Sequence, residues 1–198
     1  MKRILLVRHG QTEWNADRRL QGQTDIPLND RGRDQARALA GMIRGMKPDV
    51  VATSDLMRAR ETAALLGFPD ARCEPLLREQ RLGVWEGRTI ASVQQETPQH
   101  YIDWRAGSFA PEGGDLWADF RARVQTALHI VLEQADKTAL LVCHGGVIRA
   151  LLDAALDLSP SRIIPVGPAS VTILAYPQGH ARLEAFNVAA APDLDAPD

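Results

Sequence analysis

Apolar residues along this chain fall into two alternating rhythms. Short runs with little polar interruption read as strands: Arg3 to Arg8, Asp49 to Thr53, Thr138 to Cys143, Ser170 to Tyr176 and Ala181 to Asn187. Between the first two, Ala36, Leu39, Ala40 and Ile43 recur at i, i+3, i+4 and i+7, the spacing of one helix face. Asn29 precedes this helix as an N-cap, and Gly45 and Pro48 follow it as stop signals. A second helix is expected from about Leu56 to Leu66, ending at Gly67 and Pro69. A third, longer one follows Gly113-Gly114-Asp115 and carries an apolar stripe of Phe120, Val124, Ala127, Leu128 and Val131. A fourth follows His144-Gly145-Gly146 and runs to about Leu156, short of Pro160. Strands alternating with helices predict an α/β fold with a mostly parallel sheet.

The span from Gly87 to Gly114 breaks this rhythm. It holds Pro98, Tyr101, Trp104, Phe109 and Pro111, and reads as a lid (about residues 88–114) packed over one end of the sheet. The chain shows no internal repeat. Its 198 residues are within reach of a single core, so one domain over residues 1–188 is expected. The stretch from Ala189 to Asp198, almost all Ala, Pro and Asp, reads as a disordered tail.

A formal net charge of −2 argues against binding nucleic acid by bulk charge, so any anion must be gripped by local arginines. Cys73 and Cys143 make neither a disulfide framework nor a metal-ligand spacing, and Cys143, inside an apolar run, is expected to be buried. The apolar run that begins at Ile4 is too short for a signal-peptide core. No stretch approaches the roughly 20 apolar residues of a membrane span. A cytoplasmic protein with no membrane or nucleic-acid partner is expected.

The chemistry sits where strands end. In open α/β sheets, ligands bind at the carboxyl ends of the strands. Three expected strands end in polar motifs: Arg8-His9-Gly10, Thr53-Ser54-Asp55-Leu56-Met57-Arg58 and His144-Gly145-Gly146. If those strands are parallel and adjacent, Arg8, His9, Arg58 and His144 converge. Two guanidiniums can fork onto phosphoryl oxygens. The Gly145-Gly146 entry to a helix adds backbone N–H groups and the positive end of a helix dipole. This is an oxyanion cradle that calls for no metal and no cofactor. Neutral imidazole is one of the few side chains that can take a phosphoryl group covalently, which makes His9 a candidate nucleophile. The leaving alkoxide needs a proton, and the segment from Leu76 to Gly87 offers Glu79 and Glu86, between which chemistry alone does not choose. His100, His129 and His180 lack such a setting and receive no role. The tryptophans read as core or lid packing.

The run Arg8-His9-Gly10-Gln11-Thr12-Glu13-Trp14-Asn15 resembles the signature of the histidine phosphatase superfamily, also called phosphoglycerate mutase-like. The resemblance continues through Gln21 to Gly32, Ser54 to Thr62, Leu77-Arg78-Glu79, Gly83 to Gly87, and His144 to Arg149. It implies a three-layer fold in which helices flank a mainly parallel sheet with one antiparallel strand. It implies that His9 becomes phosphorylated. Arg8, Arg58 and His144 would hold the phosphoryl oxygens, helped by Asn15, Gln21 and Gly145. It also selects Glu79 as proton donor and leaves Glu86 a structural position. A small phosphorylated metabolite is the implied partner, no metal is implied, and a homodimer is left open.

Family members divide into mutases, which return the phosphoryl group to a sugar acid, and phosphatases, which pass it to water. Cofactor-dependent mutases carry a longer lid with a W-R-R-S motif. This chain has Trp104-Arg105-Ala106-Gly107 in a short lid, which favours hydrolysis. Arg105 is left as a candidate contact to an anionic group of the substrate. Gly113-Gly114-Asp115-Leu116 stands where many relatives have G-G-E-S, so no single relative dictates the substrate. A mutase, or a non-catalytic phosphate-binding module, is the alternative reading.

Overall fold

The computed structural model describes residues 1–190. Its sheet is built around β1 (Lys2–Arg8), whose Ile4, Leu5, Leu6 and Val7 are fully buried. A strand buried on both faces needs no polar alternation. Ile4 and Leu6 point into a core shared with helices α6 (Trp117–Gln134) and α7 (Gly145–Leu156). Leu5 and Val7 point into a second core shared with α2 (Asp30–Gly45) and α3 (Met57–Leu65). Burying each such side chain contributes about 1.5–3 kcal/mol, so β1 is the apolar spine of both layers.

Six strands pair in the order β3-β2-β4-β1-β5-β6, where β2 is Val50–Thr53, β3 Arg72–Cys73, β4 Thr138–Cys143, β5 Ser170–Tyr176 and β6 Arg182–Ala189. β1, β2, β3 and β4 are mutually parallel. β5 runs antiparallel to both β1 and β6, so it alone opposes the rest. The three strands that carry the polar ends are therefore adjacent and parallel, with β4 in the middle.

The long helices form where the spacing of apolar residues places them. Asn29 caps α2 by accepting a hydrogen bond from the Gly32 N–H at 2.8 Å, and the helix buries Ala36, Leu39, Ala40 and Ile43. α3 begins and ends within one residue of the expected bounds. Three features differ. β3 is two exposed residues with no apolar pattern to announce it. Ala189, expected in the tail, closes β6 opposite Ser170; the rest of the tail, 191–198, lies outside the described residues. The lid is helical rather than irregular, with α4 (Ile90–Glu96) and α5 (Pro98–Ala106). Its Trp85, Val93 and Trp104 form a small core of their own with Leu20 and Leu82. The signals for those helices were present: Thr89 as N-cap, Pro98 in the first turn, and Gly107 in the left-handed conformation past the end.

One close backbone approach seats α2 against the strand end. A methyl group at Gly10 would overlap the Gly32 carbonyl, and one at Gly32 would overlap the backbone of Gln11. Gly10→Ala should therefore destabilise the fold by about 1–3 kcal/mol, as overpacking does. A urea titration would show a lower midpoint with an unchanged slope.

Candidate active site

Strand register brings the two histidines together. β1 and β4 pair with Arg8 opposite Cys143, so the next residue of each strand is a histidine. The His9 N–H donates to the Cys143 carbonyl at 3.0 Å, and the two imidazole rings meet edge-on with centroids 5.2 Å apart. On the other side of β4, the Ser54 N–H donates to the Val142 carbonyl, which sets the Ser54 hydroxyl 2.9 Å from His144 Nε2.

His9 Nδ1 lies 2.7 Å from the carbonyl oxygen of Gly10. A carbonyl only accepts, so Nδ1 carries the proton and the lone pair is left on Nε2. Burial, then the charges of Arg58 and Arg8, push His9 well below the usual histidine range. The same causes, burial first and then Arg58, act on His144. Both rings are held in the neutral form, the form in which imidazole is a nucleophile.

Arg58 is fully buried at the first turn of α3. Its guanidinium donates to the carbonyls of Gly22 and Thr24, each at 2.8 Å, and burial pushes its pKa down to about 10 while Glu79 opposes that shift. A salt bridge to Glu61 on its own helix does not form; Glu61 faces Arg33. Arg8 donates to the Val166 carbonyl. Each guanidinium thus donates to backbone oxygens, which fix its position.

The structure separates the two glutamates that the sequence left open. Glu79 lines the cleft: one carboxylate oxygen accepts from the Gly146 N–H at the start of α7 at 2.9 Å, the other from the Gln80 N–H at 2.7 Å. Its backbone carbonyl is held by Gln23 and by Arg123, both at 3.1 Å. Glu86 instead binds the loop that carries Gly22 and Thr24. It accepts from the Gln23 N–H at 3.1 Å, the Thr24 hydroxyl at 2.6 Å and the Leu82 N–H at 3.0 Å. Glu86 thereby fixes the carbonyls that hold Arg58.

Of the other expected site residues, Asn15, Gln21, Gly145 and Arg105 line the same cleft as Arg8, His9, Arg58 and Glu79. Asn15 sits in the short helix α1 (Glu13–Ala16), in a capping box with Thr12. Gln21 is buried, with no partner for its side-chain oxygen among the described residues. His144 is fully buried against His9, and its Nδ1 has no partner among the described residues, which leaves that nitrogen available to an oxygen bound beside His9. Burial of Cys143 pushes its thiol up and keeps it inert. Among the described residues, no group of three or more His, Cys, Asp or Glu could hold a metal ion, and no helix is long and apolar enough to cross a membrane. Sequence reasoning missed the positioning parts, Gln23 and Arg123, and several cleft residues, Arg19, Gln80, Tyr101 and Arg149 among them. Arg149 lies three residues past Gly146 on α7, so helical spacing turns it to the same face; that was the available signal.

Five arginines and a single carboxylate line the cleft among the described residues, around a neutral imidazole with an open ring nitrogen. Such a site takes a tetrahedral dianion and offers a nucleophile to it. The family that has this chemistry matches the chain: the histidine phosphatase superfamily (branch 1), over residues 4–189. The chain belongs to that superfamily. It is 38% identical over 172 residues to the glucosyl-3-phosphoglycerate phosphatase of Mycolicibacterium vanbaalenii, covering 80% of this chain and 76% of the relative. It is 39% identical over 167 residues to a Yersinia enterocolitica protein named probable phosphoglycerate mutase GpmB, covering 81% and 77%. The solved structure of mycobacterial glucosyl-3-phosphoglycerate phosphatase in complex with VO3 superposes with a TM-score of 0.88 at 34% identity, covering 94% of this chain and 99% of the other. The protein is a histidine phosphatase-type phosphoric monoester hydrolase.

The contact between Gly146 and Glu79 can be tested directly. A methyl group at Gly146 would overlap a Glu79 carboxylate oxygen, while alanine suits a helix better than glycine does. Gly146→Ala should therefore leave thermal stability near wild type and lower kcat by about 100-fold, the scale of a misplaced catalytic group. A stable variant with wild-type kcat would show that the Glu79 position is not critical.

Proposed function

We propose that the chain hydrolyses a small phosphorylated metabolite, without a metal, through a phosphohistidine at His9. The observation that carries this reading is the state of His9: a buried neutral imidazole, Nδ1 tied to a carbonyl, Nε2 open, beside two arginines held by backbone oxygens. Nε2 attacks phosphorus, and the P–O bond to the leaving alcohol breaks. Arg8, Arg58, His144 and the N–H groups at the start of α7 stabilise the oxygens on which charge collects. Asn15 and Gln21 orient the same oxygens. Glu79 delivers a proton to the alkoxide. Water then attacks the phosphohistidine, Glu79 takes its proton, the P–N bond breaks and orthophosphate leaves.

The cleft opens to solvent between the strand ends and the lid residues Tyr101, Trp104 and Arg105, so an organic group can extend beside the phosphate. Relatives named glucosyl-3-phosphoglycerate phosphatase make that ester the first substrate to try. Mutase activity is the second reading, raised by the similarity to the Yersinia protein. The short lid, with Ala106 where the mutase motif has its second arginine, supports release to water instead. A cytoplasmic homodimer completes the proposal, on the sequence character and the family resemblance.

The test is phosphate release in excess chelator. Turnover should persist in chelator, whereas a rate restored only by Mg²⁺ would refute the metal-free reading. His9→Ala should abolish turnover and the acid-labile phosphoenzyme; residual wild-type activity would refute the nucleophile. Glu79→Gln should slow hydrolysis of alkyl phosphates by about 100-fold or more, and that of p-nitrophenyl phosphate much less, since a good leaving group needs no proton. Equal losses would remove Glu79 as donor.

A further inference from the structure

Arg149 is an arginine that the phosphoryl chemistry leaves unused. It projects from the second turn of α7, is 95% buried and lines the cleft. Its guanidinium carbon lies over two indoles, 5.4 Å from the Trp104 ring centroid and 4.8 Å from that of Trp117. Both indoles are fixed through their N–H groups, Trp104 to the Gln80 side-chain oxygen at 3.1 Å and Trp117 to Asp153 at 2.9 Å. Two of its nitrogens, Nε and one terminal nitrogen, are buried with no hydrogen-bond partner among the described residues.

A buried cation normally has an anion or several acceptors. The carboxylates nearby are committed elsewhere. Asp153, one turn along α7, pairs with Arg121 at 3.1 Å as well as with Trp117. Glu79 is taken by the N–H groups of Gly146 and Gln80. Burial, and then the repulsion of Arg105 in the lid, push Arg149 down to about 9, with Glu79 opposing the shift. A charge kept at this cost in the cleft wall has no hydrogen-bonded counterion among the described residues.

We infer that Arg149 is a specificity-determining residue: it holds a carboxylate on the organic part of the phosphomonoester, with Arg105 closing over the same group from the lid. The unpartnered Nε and terminal nitrogen can donate side by side, which is the fork that a planar carboxylate accepts. Packing against two indoles in the buried wall also reduces the rotamer entropy that a free arginine would lose on binding. The inference rests on the phosphomonoesterase reading and adds a second anionic group to the substrate.

The test compares 3-phosphoglycerate with glycerol 3-phosphate, which present the same phosphate ester and differ in a carboxylate against a hydroxymethyl group. Wild-type enzyme should favour the carboxylate ester by about tenfold or more in kcat/KM, mostly through KM. Arg149→Met, which keeps the bulk between the indoles, should bring the ratio close to one. Arg149→Lys, which keeps the charge without the fork, should fall between. The two esters titrated into the His9→Ala protein give the same preference as a ratio of Kd values, independent of turnover. A wild-type ratio near one overturns the inference, as does an unchanged ratio in Arg149→Met; a purely structural Arg149 would depress both esters alike. If wild-type enzyme releases phosphate from neither ester nor from p-nitrophenyl phosphate, the phosphatase reading fails, and the binding ratio still decides the carboxylate site.

Discussion

The parallel pairing of β1 with β4, with Arg8 opposite Cys143, is the constraint on which the site depends. Because both strands end at that rung, the residues that follow are in register, and each is a histidine. A shift of one residue would turn Leu5 and Val7 toward the face now filled by Ile4 and Leu6. Register is therefore locked by two cores at once, and the 5.2 Å contact between His9 and His144 inherits that rigidity. An imidazole placed by the hydrophobic core needs no flexible loop to present it.

Around that rung, Arg58 and Arg8 donate to main-chain carbonyls, and Glu86 secures the loop that supplies two of these carbonyls. Burial, and then the charge of these arginines, keeps both imidazoles neutral. Glu79, the single acid in the cleft wall among the described residues, is set by the start of α7 and by Arg123 from α6, two helices that share one core. The site is charged for an anion before one arrives, which is the sense in which its electrostatics are preorganised.

The lid adds selection to this common machinery. α4 and α5 carry their own aromatic core, and Trp104 serves both as part of that core and as one face of the slot around Arg149. Changes in lid packing are thereby felt in the cleft through one indole. The histidines stand at strand ends and the rest of the cleft is walled by lid and helix, so the lid can vary without disturbing the strand ends.

Local pattern determined much of this protein. The buried runs of β1 and β4, the stripes of α2 and α6, the Asn29 cap and the glycines after each histidine are written in nearest-neighbour chemistry, and they suffice for the α/β class and for His9, Arg8, Arg58 and His144 as one group. The family resemblance, not the local chemistry, preferred Glu79 to Glu86. What decided their separate tasks was tertiary: one carboxylate meets the Gly146 N–H across 67 positions of sequence, the other meets Thr24 across 62. β3 was invisible because two exposed residues bury nothing, and Ala189 joined β6 because pairing with Ser170 is not a property of its own composition. Arg149 reads locally as one more helix charge. Only the approach of Trp104 and Trp117, from two other helices, makes it a buried cation, because burial belongs to the assembled fold and not to the residue.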